Sequence, residues 1–224
     1  MTINHLIDHT LLAPTATAAD ITRLCAQARV HDFYAVCVNS AWTSKAHAEL
    51  EGCPTVVATV IGFPLGAQLT AAKVAEAKLA LQAGASELDM VIALGPLLAG
   101  EDTYVHDDIA AVVTAAREIN PQVVVKVILE TAALTDDQIV RACGIAQAAG
   151  ADFVKTSTGF LDQKLALPGR PTGATVEAVA LLRQAVGDTM GVKASGGIAT
   201  REQAQALIAA GATRLGTSHS IALV

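Results

Sequence analysis

The sequence contains few aromatic residues and little charge. Phe, Trp and Tyr make up 3% of its 224 residues and charged residues 16%, whereas 52% are hydrophobic. Such a composition is typical of a folded chain and excludes intrinsic disorder. The hydrophobic core must therefore be built from Ala, Val, Leu and Ile.

Several sequence signals are also missing. The four cysteines are scattered and form no C-x-x-C pair, which favours reduced thiols. No apolar run reaches the roughly 18 residues of a membrane helix, and the first residues lack the charged and apolar regions of a signal peptide. We therefore expect a cytoplasmic protein that does not bind membranes.

The charge that is present is acidic overall. Fifteen basic and 21 acidic residues give a net charge of −6, which disfavours nucleic-acid binding. His5 and His9 have the i, i+4 spacing of a helical metal pair, but the segment resembles a strand and the other histidines are isolated. We expect no metal site.

Short apolar runs alternate with alanine-rich segments of helical period. The Val- and Ile-rich runs predict buried parallel strands at 4–8, 34–38, 55–62, 87–93, 123–130, 152–157, 190–195 and 213–217. Helices are predicted at about 18–30, 71–82, 103–118, 136–149, 175–185 and 200–210. Eight such units predict a single (β/α)8 barrel domain, 1–224, and an open doubly wound sheet is the alternative.

Five charged residues interrupt the apolar strands: Asp8, Asp89, Lys126, Lys155 and Lys193. A charged side chain in a buried strand costs free energy unless it is paired or has a function. The carboxyl ends of barrel strands meet at one mouth, where barrel enzymes place their active sites. Crowding of lysines lowers the pKa of an amine, and a neutral lysine can form a Schiff base with a carbonyl. Structural ion pairs are the alternative interpretation.

Two glycine turns suggest a phosphate site. Ser195-Gly196-Gly197 ends one strand before a helix, and Gly216-Thr217-Ser218 ends the last strand. Backbone N–H groups at such turns bind phosphate without positive side chains. Tight turns without a ligand explain the same pattern.

Several ordered motifs give the chain a family resemblance. They include D-H-T-L-L at 8–12, V-C-V-N at 36–39, G-F-P-L-G at 62–66, E-L-D-M-V-I at 87–92, K-V-I-L-E-T at 126–131, D-F-V-K-T-S-T-G-F at 152–160 and G-V-K-A-S-G-G-I at 191–198. Across nearly its whole length the sequence resembles the deoxyribose-phosphate aldolases, class I aldolases with a (β/α)8 barrel.

The resemblance implies reversible cleavage of 2-deoxy-D-ribose 5-phosphate to D-glyceraldehyde 3-phosphate and acetaldehyde, without a metal or organic cofactor. Lys155 would form the Schiff base, Lys193 would lower its pKa, and Asp89 would move protons. Asp8 and Lys126 would support them. Residues around the substrate, mostly at its phosphate end, would be Thr158, Gly159, Gly196, Gly197, Gly216 and Ser218. A homodimer is consistent with the resemblance.

Three departures from the family pattern lie at the phosphate end. Ala199 stands where the family usually has Arg, His219 stands where it has Ser, and the segment 161–172 is longer than expected. We hypothesise that phosphate recognition is altered, with Lys164, Arg170 or His219 replacing the missing arginine.

Three other functions fit parts of the pattern. Another Schiff-base aldolase, acting on a different or non-phosphorylated aldehyde, would keep the lysines. A barrel isomerase or synthase would use only the phosphate turns. A non-catalytic barrel scaffold would keep the fold alone.

Overall fold

Eight parallel strands close into a barrel in the part of the chain that the computed structural model describes, residues 2–224. Each strand pairs with the next one along the chain, and the last pairs with the first. The strands are β1 (Ile7–Leu11), β2 (Ala35–Val38), β3 (Val56–Ile61), β4 (Glu87–Val91), β5 (Val124–Ile128), β6 (Phe153–Lys155), β7 (Gly191–Ser195) and β8 (Arg214–Thr217). The predicted barrel is confirmed, and the open sheet is excluded.

Helices surround the barrel and connect its strands. Across residues 2–224 they are α1 (Ala18–His31), α2 (Thr43–Glu49), α3 (Thr70–Gln82), α4 (Leu94–Ala99), α5 (Asp102–Ile119), α6 (Asp136–Ala148), α7 (Val176–Val186) and α8 (Arg201–Ala209). The six predicted helices are present, within one or two residues at each end. The short helices α2 and α4 were not predicted.

Threonine residues start four of these helices. Thr17, Thr135 and Thr200 form reciprocal capping boxes with the third residue of α1, α6 and α8, and the Thr175 hydroxyl accepts from the third residue of α7. Each hydroxyl satisfies a backbone N–H that the first helical turn leaves free. The helices therefore begin where the strand-to-helix connections require them.

The predicted position of the first strand was wrong. The sequence places it at 4–8, whereas Ile3–Leu6 forms a 3-10 helix and β1 covers Ile7–Leu11. The apolar residues 3, 6 and 7 have the spacing of a turn rather than of a strand. The shift is important because it moves Asp8 from the end of the strand to its interior.

The hydrophobic core lies between the strands and the helices. It is built from Val, Ile, Leu and Ala side chains, as the composition predicts. A second, smaller apolar cluster contains Leu12, Cys37, Ala58 and Val60, with Phe63 packed against it. No helix in residues 2–224 is long and apolar enough to cross a membrane.

Candidate active site

The barrel strands bring the five charged residues of the sequence prediction together. Lys155 and Lys193 are partners in the register of β6 and β7, and Asp89 and Lys126 are partners in the register of β4 and β5. Partners in parallel strands project their side chains to the same face. All five side chains are at most 4% exposed, so they meet inside the barrel.

Asp89 is the centre of this cluster. Its Oδ2 atom lies 2.7 Å from the Nζ atoms of both Lys155 and Lys193, and its Oδ1 atom lies 2.8 Å from Nζ of Lys126. Lys193 also donates to Asp8. A single carboxylate therefore connects the two lysines that the Schiff-base hypothesis requires.

Glu87 and Arg214 extend the cluster toward the bottom of the barrel, and the sequence analysis missed both. Glu87 lies 2.6 Å from Lys126, and Arg214 lies 2.9 Å from Asp8 and 3.1 Å from Glu87. The signal that identified the other five was present here too, because each residue is a charge within an apolar strand. Glu87 is also two residues before Asp89 on the same strand, which places both carboxylates on one face.

The charges of the cluster do not balance when all of its groups are ionised. Among residues 2–224, ion pairs join three carboxylates to four basic side chains: Asp8, Glu87 and Asp89 to Lys126, Lys155, Lys193 and Arg214. Loss of one proton from one lysine makes the positive and negative charges equal. A buried environment favours that neutral total.

Lys155 is the lysine whose environment most favours the neutral amine. Burial lowers its pKa, and the neighbouring Lys193 adds to this effect against the opposing influence of Asp89. Burial alone would also lower the pKa of Lys193, but Asp8 and Asp89 raise it above its ordinary value. Burial alone would raise the pKa of Asp89, yet Lys126, Lys155 and Lys193 hold it well below its ordinary value. Burial and Lys193 thus make Lys155 lose its proton more readily than Lys193, whose ammonium is stabilised by Asp8 and Asp89.

A cavity of about 430 Å³ opens above this cluster at the carboxyl ends of the strands. Of the seven cluster residues, only Lys155 lines it. All six of the predicted substrate-contacting residues lie around the same cavity: Thr158, Gly159, Gly196, Gly197, Gly216 and Ser218. A carbonyl compound in the cavity would reach the Lys155 amine, whereas Asp8, Asp89, Lys126 and Lys193 lie beneath it.

Gly216 also makes room for Lys193. A Cβ atom at Gly216 would lie 3.0 Å from Cε of Lys193 and 3.2 Å from Cβ of Ser195. These distances are shorter than ordinary van der Waals contacts, so a side chain at this position would displace the lysine. The absence of a side chain at Gly216 of β8 is therefore part of the site.

The candidate phosphate end contains little positive charge. Ala199 and His219 both line the cavity, whereas Lys164 does not. Arg170 also lies outside its lining and pairs with Asp136 at the start of α6. Among the lining residues in the described part of the chain, Lys155 and His219 are therefore the only basic side chains. Of the three hypothesised replacements for arginine, only His219 is in position.

No group of three or more potential ligands for a metal ion occurs among residues 2–224. His9, one of the spaced pair in the sequence, instead contacts Ser220 and Gln27 at 2.9 Å each.

Comparison with known proteins assigns the chain to a family. Residues 2–218 match the sequence profile described as DeoC/LacD family aldolase. The chain is 50% identical, over its whole length and 96% of the relative, to a deoxyribose-phosphate aldolase of Clostridium novyi (strain NT). It is 48% identical, over its whole length and 95% of the relative, to a deoxyribose-phosphate aldolase of Bacillus cytotoxicus (strain DSM 22905 / CIP 110041 / 391-98 / NVH 391-98).

Solved structures agree with the sequence relatives. A tetrameric deoxyribose phosphate aldolase from Aeropyrum pernix superposes with a TM-score of 0.88 and 33% sequence identity, covering 99% of this chain and 88% of that one. This chain belongs to the DeoC/LacD family of aldolases and is therefore a lyase.

Proposed function

We propose that the enzyme cleaves 2-deoxy-D-ribose 5-phosphate reversibly to D-glyceraldehyde 3-phosphate and acetaldehyde through a Schiff base on Lys155. The observation that carries the proposal is the shared carboxylate of Asp89, 2.7 Å from both Lys155 and Lys193, directly beneath the cavity. This arrangement supplies a nucleophile and a proton relay in one place. The names of the full-length relatives support the choice of substrate.

The first chemical step forms the imine. The neutral Nζ of Lys155 attacks C1 of the open-chain sugar, and the carbonyl oxygen takes up a proton to give the carbinolamine. Loss of water then leaves a protonated imine, which attracts electrons. The Asp89 carboxylate, in contact with Nζ of Lys155, accepts the proton that the attacking amine loses and returns it to the departing hydroxyl, while the Lys193 ammonium stays charged and stabilises Asp89.

Cleavage and release complete the reaction. A base removes the proton of the C3 hydroxyl, the C2–C3 bond breaks, and its electron pair moves to the imine to form an enamine. Glyceraldehyde 3-phosphate leaves with C3 as its aldehyde carbon. Protonation of the enamine carbon and addition of water then release acetaldehyde and regenerate the Lys155 amine.

The Schiff base can be tested by borohydride trapping with acetaldehyde, followed by peptide mass mapping. We expect a covalent adduct on Lys155 that is absent from Lys155→Leu. Lys45→Leu is the matched control, because Lys45 pairs with Glu49 on the surface of α2. An adduct on another lysine would overturn the assignment. Turnover of dihydroxyacetone instead of acetaldehyde would indicate a different Schiff-base aldolase.

We also propose that phosphate recognition is weaker than in relatives that carry the arginine. Support comes from Ala199 and from the absence of Arg and of a second Lys among the cavity-lining residues of the described chain. One missing arginine–phosphate contact corresponds to about 1.5–3 kcal/mol, or roughly tenfold or more in specificity. The measurement is kcat/KM for deoxyribose 5-phosphate relative to free deoxyribose, in the wild type and in Ala199→Arg. An unchanged ratio in that variant would contradict the proposal.

Three further properties are proposals of the same kind. We propose that 1–224 acts as a single domain, which the barrel supports because its strands extend from Ile7 to Thr217. A cytoplasmic location agrees with four free cysteines. A homodimer is proposed for the assembly, and light scattering of the purified chain distinguishes it from a tetramer.

A further inference from the structure

Glu130 has an unusual conformation at the end of β5. Its φ and ψ angles are 59° and 59°, in the left-handed region, although it is not glycine. Non-glycine residues held in this region are strained and cluster at functional sites. The side chain is 4% exposed, which makes it a buried carboxyl group beside the catalytic strand β6.

The carboxyl group of Glu130 is paired on one side only. Its Oε2 atom accepts hydrogen bonds from the backbone N–H of Thr158, at 3.2 Å, and from the Thr158 hydroxyl. Its Oε1 atom is buried and has no hydrogen-bond partner in the described structure. No ion pair among residues 2–224 includes Glu130. Thr158 is therefore the hydrogen-bond partner of the Glu130 carboxylate in the described structure.

This contact determines what the Thr158 hydroxyl can offer to the cavity. A threonine hydroxyl has one proton and two lone pairs. The proton is donated to Glu130, and one lone pair accepts from the backbone N–H of Phe160 at 3.0 Å. One lone pair remains, and Thr158 lines the cavity. The hydroxyl can therefore accept a hydrogen bond from a ligand but cannot donate one.

Protonation of Glu130 leaves this arrangement intact. Burial raises the pKa of the carboxyl group, against the opposing effects of its bonds from Thr158 and of the nearby Lys155 charge. Because Oε2 already receives two donors, a proton would reside on Oε1. Thr158 would still donate to Oε2.

We propose that Glu130 is a positioning residue that fixes the Thr158 hydroxyl as a hydrogen-bond acceptor, and that this position selects aldehydes carrying a hydroxyl group. A phosphate dianion offers acceptors only and gains nothing from this oxygen. A substrate hydroxyl is a donor and fits it. The inference rests on the proposed aldolase function and adds a specificity determinant to it.

The test uses the synthetic direction, with acetaldehyde as donor and three acceptor aldehydes: propanal, 2-hydroxypropanal and 3-hydroxypropanal. The measured quantity is kcat/KM for each hydroxylated acceptor relative to propanal, here termed the hydroxyl ratio. We expect the larger hydroxyl ratio to be about tenfold in the wild type, to fall close to one in Thr158→Val, and to be retained in Thr158→Ser. An unchanged ratio in Thr158→Val would overturn the proposal.

Variants at Glu130 isolate the positioning role. Glu130→Gln keeps an oxygen that accepts from Thr158, so the hydroxyl ratio should stay within about twofold of the wild type. Glu130→Met has no acceptor and should lower the ratio at least about threefold. Glu130→Asp keeps the charge but is one methylene shorter, and it should lower the ratio as well. It also serves as the second variant if Glu130→Met does not fold. A low ratio in Glu130→Gln, or a normal ratio in Glu130→Asp, would contradict the inference.

Borohydride trapping with acetaldehyde separates this inference from the proposed function. Imine formation on Lys155 needs no acceptor hydroxyl, so the Thr158 and Glu130 variants should still give the Lys155 adduct with acetaldehyde, at whatever rate. A wild type that is neither trapped nor active would disprove the aldolase proposal. The wild type could instead be trapped and active while Thr158→Val and Glu130→Asp both keep its hydroxyl ratio. That result would disprove only the role of Glu130.

Discussion

At the scale of single residues, Asp89 and Lys193 act on the same amine in opposite directions. After burial, which lowers it, the pKa of Lys155 is raised by Asp89 and lowered by Lys193. The two neighbours can therefore be distinguished by the sign of their effect rather than by loss of activity alone. That distinction separates an electrostatic role from a merely structural one.

Lys193→Met should shift imine formation to higher pH. Removal of the ammonium group raises the pKa of Lys155, so the acid limb of the pH profile for trapping by acetaldehyde moves upward. The measurement is the initial rate of borohydride-trapped adduct as a function of pH. A profile that keeps its midpoint while the rate falls would show that Lys193 does not tune the amine.

Asp89→Asn should move the same limb in the opposite direction. Without the carboxylate, the pKa of Lys155 falls further, so imine formation persists to lower pH. The turnover number should fall by about 10²–10⁴ because the proton relay is lost. A normal turnover number in the folded variant would contradict the relay. Unfolding would instead support a structural function for the ion pairs.

Gly216→Ala should reduce activity without unfolding the barrel. The new methyl group meets Cε of Lys193 at 3.0 Å, so the lysine must shift by a few tenths of an ångström relative to Asp89. Gly144→Ala is the control, because a Cβ atom there meets nothing within 4 Å and Gly144 lies inside α6. The control should gain about 0.5–1 kcal/mol of unfolding free energy at full activity. Equal activity of both variants would exclude the packing function of Gly216.

At the scale of elements, a second buried ion pair joins two helices outside the barrel. Lys73 of α3 and Asp108 of α5 lie 2.6 Å apart, and both side chains are fully buried. Asp108 also accepts from Thr70, and Lys73 donates to the backbone carbonyl of Val91. The pair thus connects both helices to the end of β4, the strand that carries Asp89.

Lys73→Met should be strongly destabilising. It leaves the Asp108 carboxylate buried without its cation, which costs about 3–5 kcal/mol, whereas two apolar residues of similar volume are often tolerated. Urea unfolding of Lys73→Met and of the double variant Lys73→Met/Asp108→Leu measures the difference. We expect the double variant to recover most of the loss. Equal destabilisation of both variants would show that the unpaired Asp108 charge does not cause the loss of unfolding free energy.

The sequence predicts the elements well where their pattern is long and periodic. Seven of the eight strands and the six longer helices follow from apolar runs and caps, whereas the first strand is displaced from its predicted position. The helices α2 and α4 did not, because each has only six or seven residues and α4 contains Gly95 and Pro96. Pro96 occupies the first turn, where its missing N–H is not needed. Gly95 and Pro96, which normally interrupt helices, are therefore the reason that α4 was not predicted.

The sequence predicted which charged side chains meet in the barrel where charge contradicted an apolar strand. Lys155, Lys193 and Asp89 were found in this way, and Glu87 and Arg214 could have been. Glu130 could not, because its left-handed backbone and its bonds to Thr158 depend on how β5 meets the turn after β6. The catalytic roles of Lys155, Lys193 and Asp89 and the positioning role of Glu130 remain predictions that the variants above test.

At the scale of the whole molecule, the buried carboxylates make the barrel sensitive to acid. Although burial opposes the effect, Lys193 and Arg214 lower the pKa of Asp8 from 3.8 to about 2. A carboxylate with a lowered pKa stabilises the fold above its unfolded value, and this stabilisation is lost as the pH falls through the folded value. Unfolding free energies measured in urea should therefore fall between about pH 4 and pH 2, and less steeply in Asp8→Asn. Equal slopes would contradict this.

The long segment after β6 is fixed at both of its ends. A Cβ atom at Gly173 would lie 2.7 Å from the carbonyl oxygen of Gly196, one at Gly159 would lie 3.9 Å from Cα of Gly196, and the Ala174 N–H donates to that same carbonyl. Of the residues between these two points, 160–172, only Phe160 lines the cavity. Loops of other lengths and compositions can therefore replace residues 161–172 without changing the walls of the cavity or the cluster of charged side chains below it.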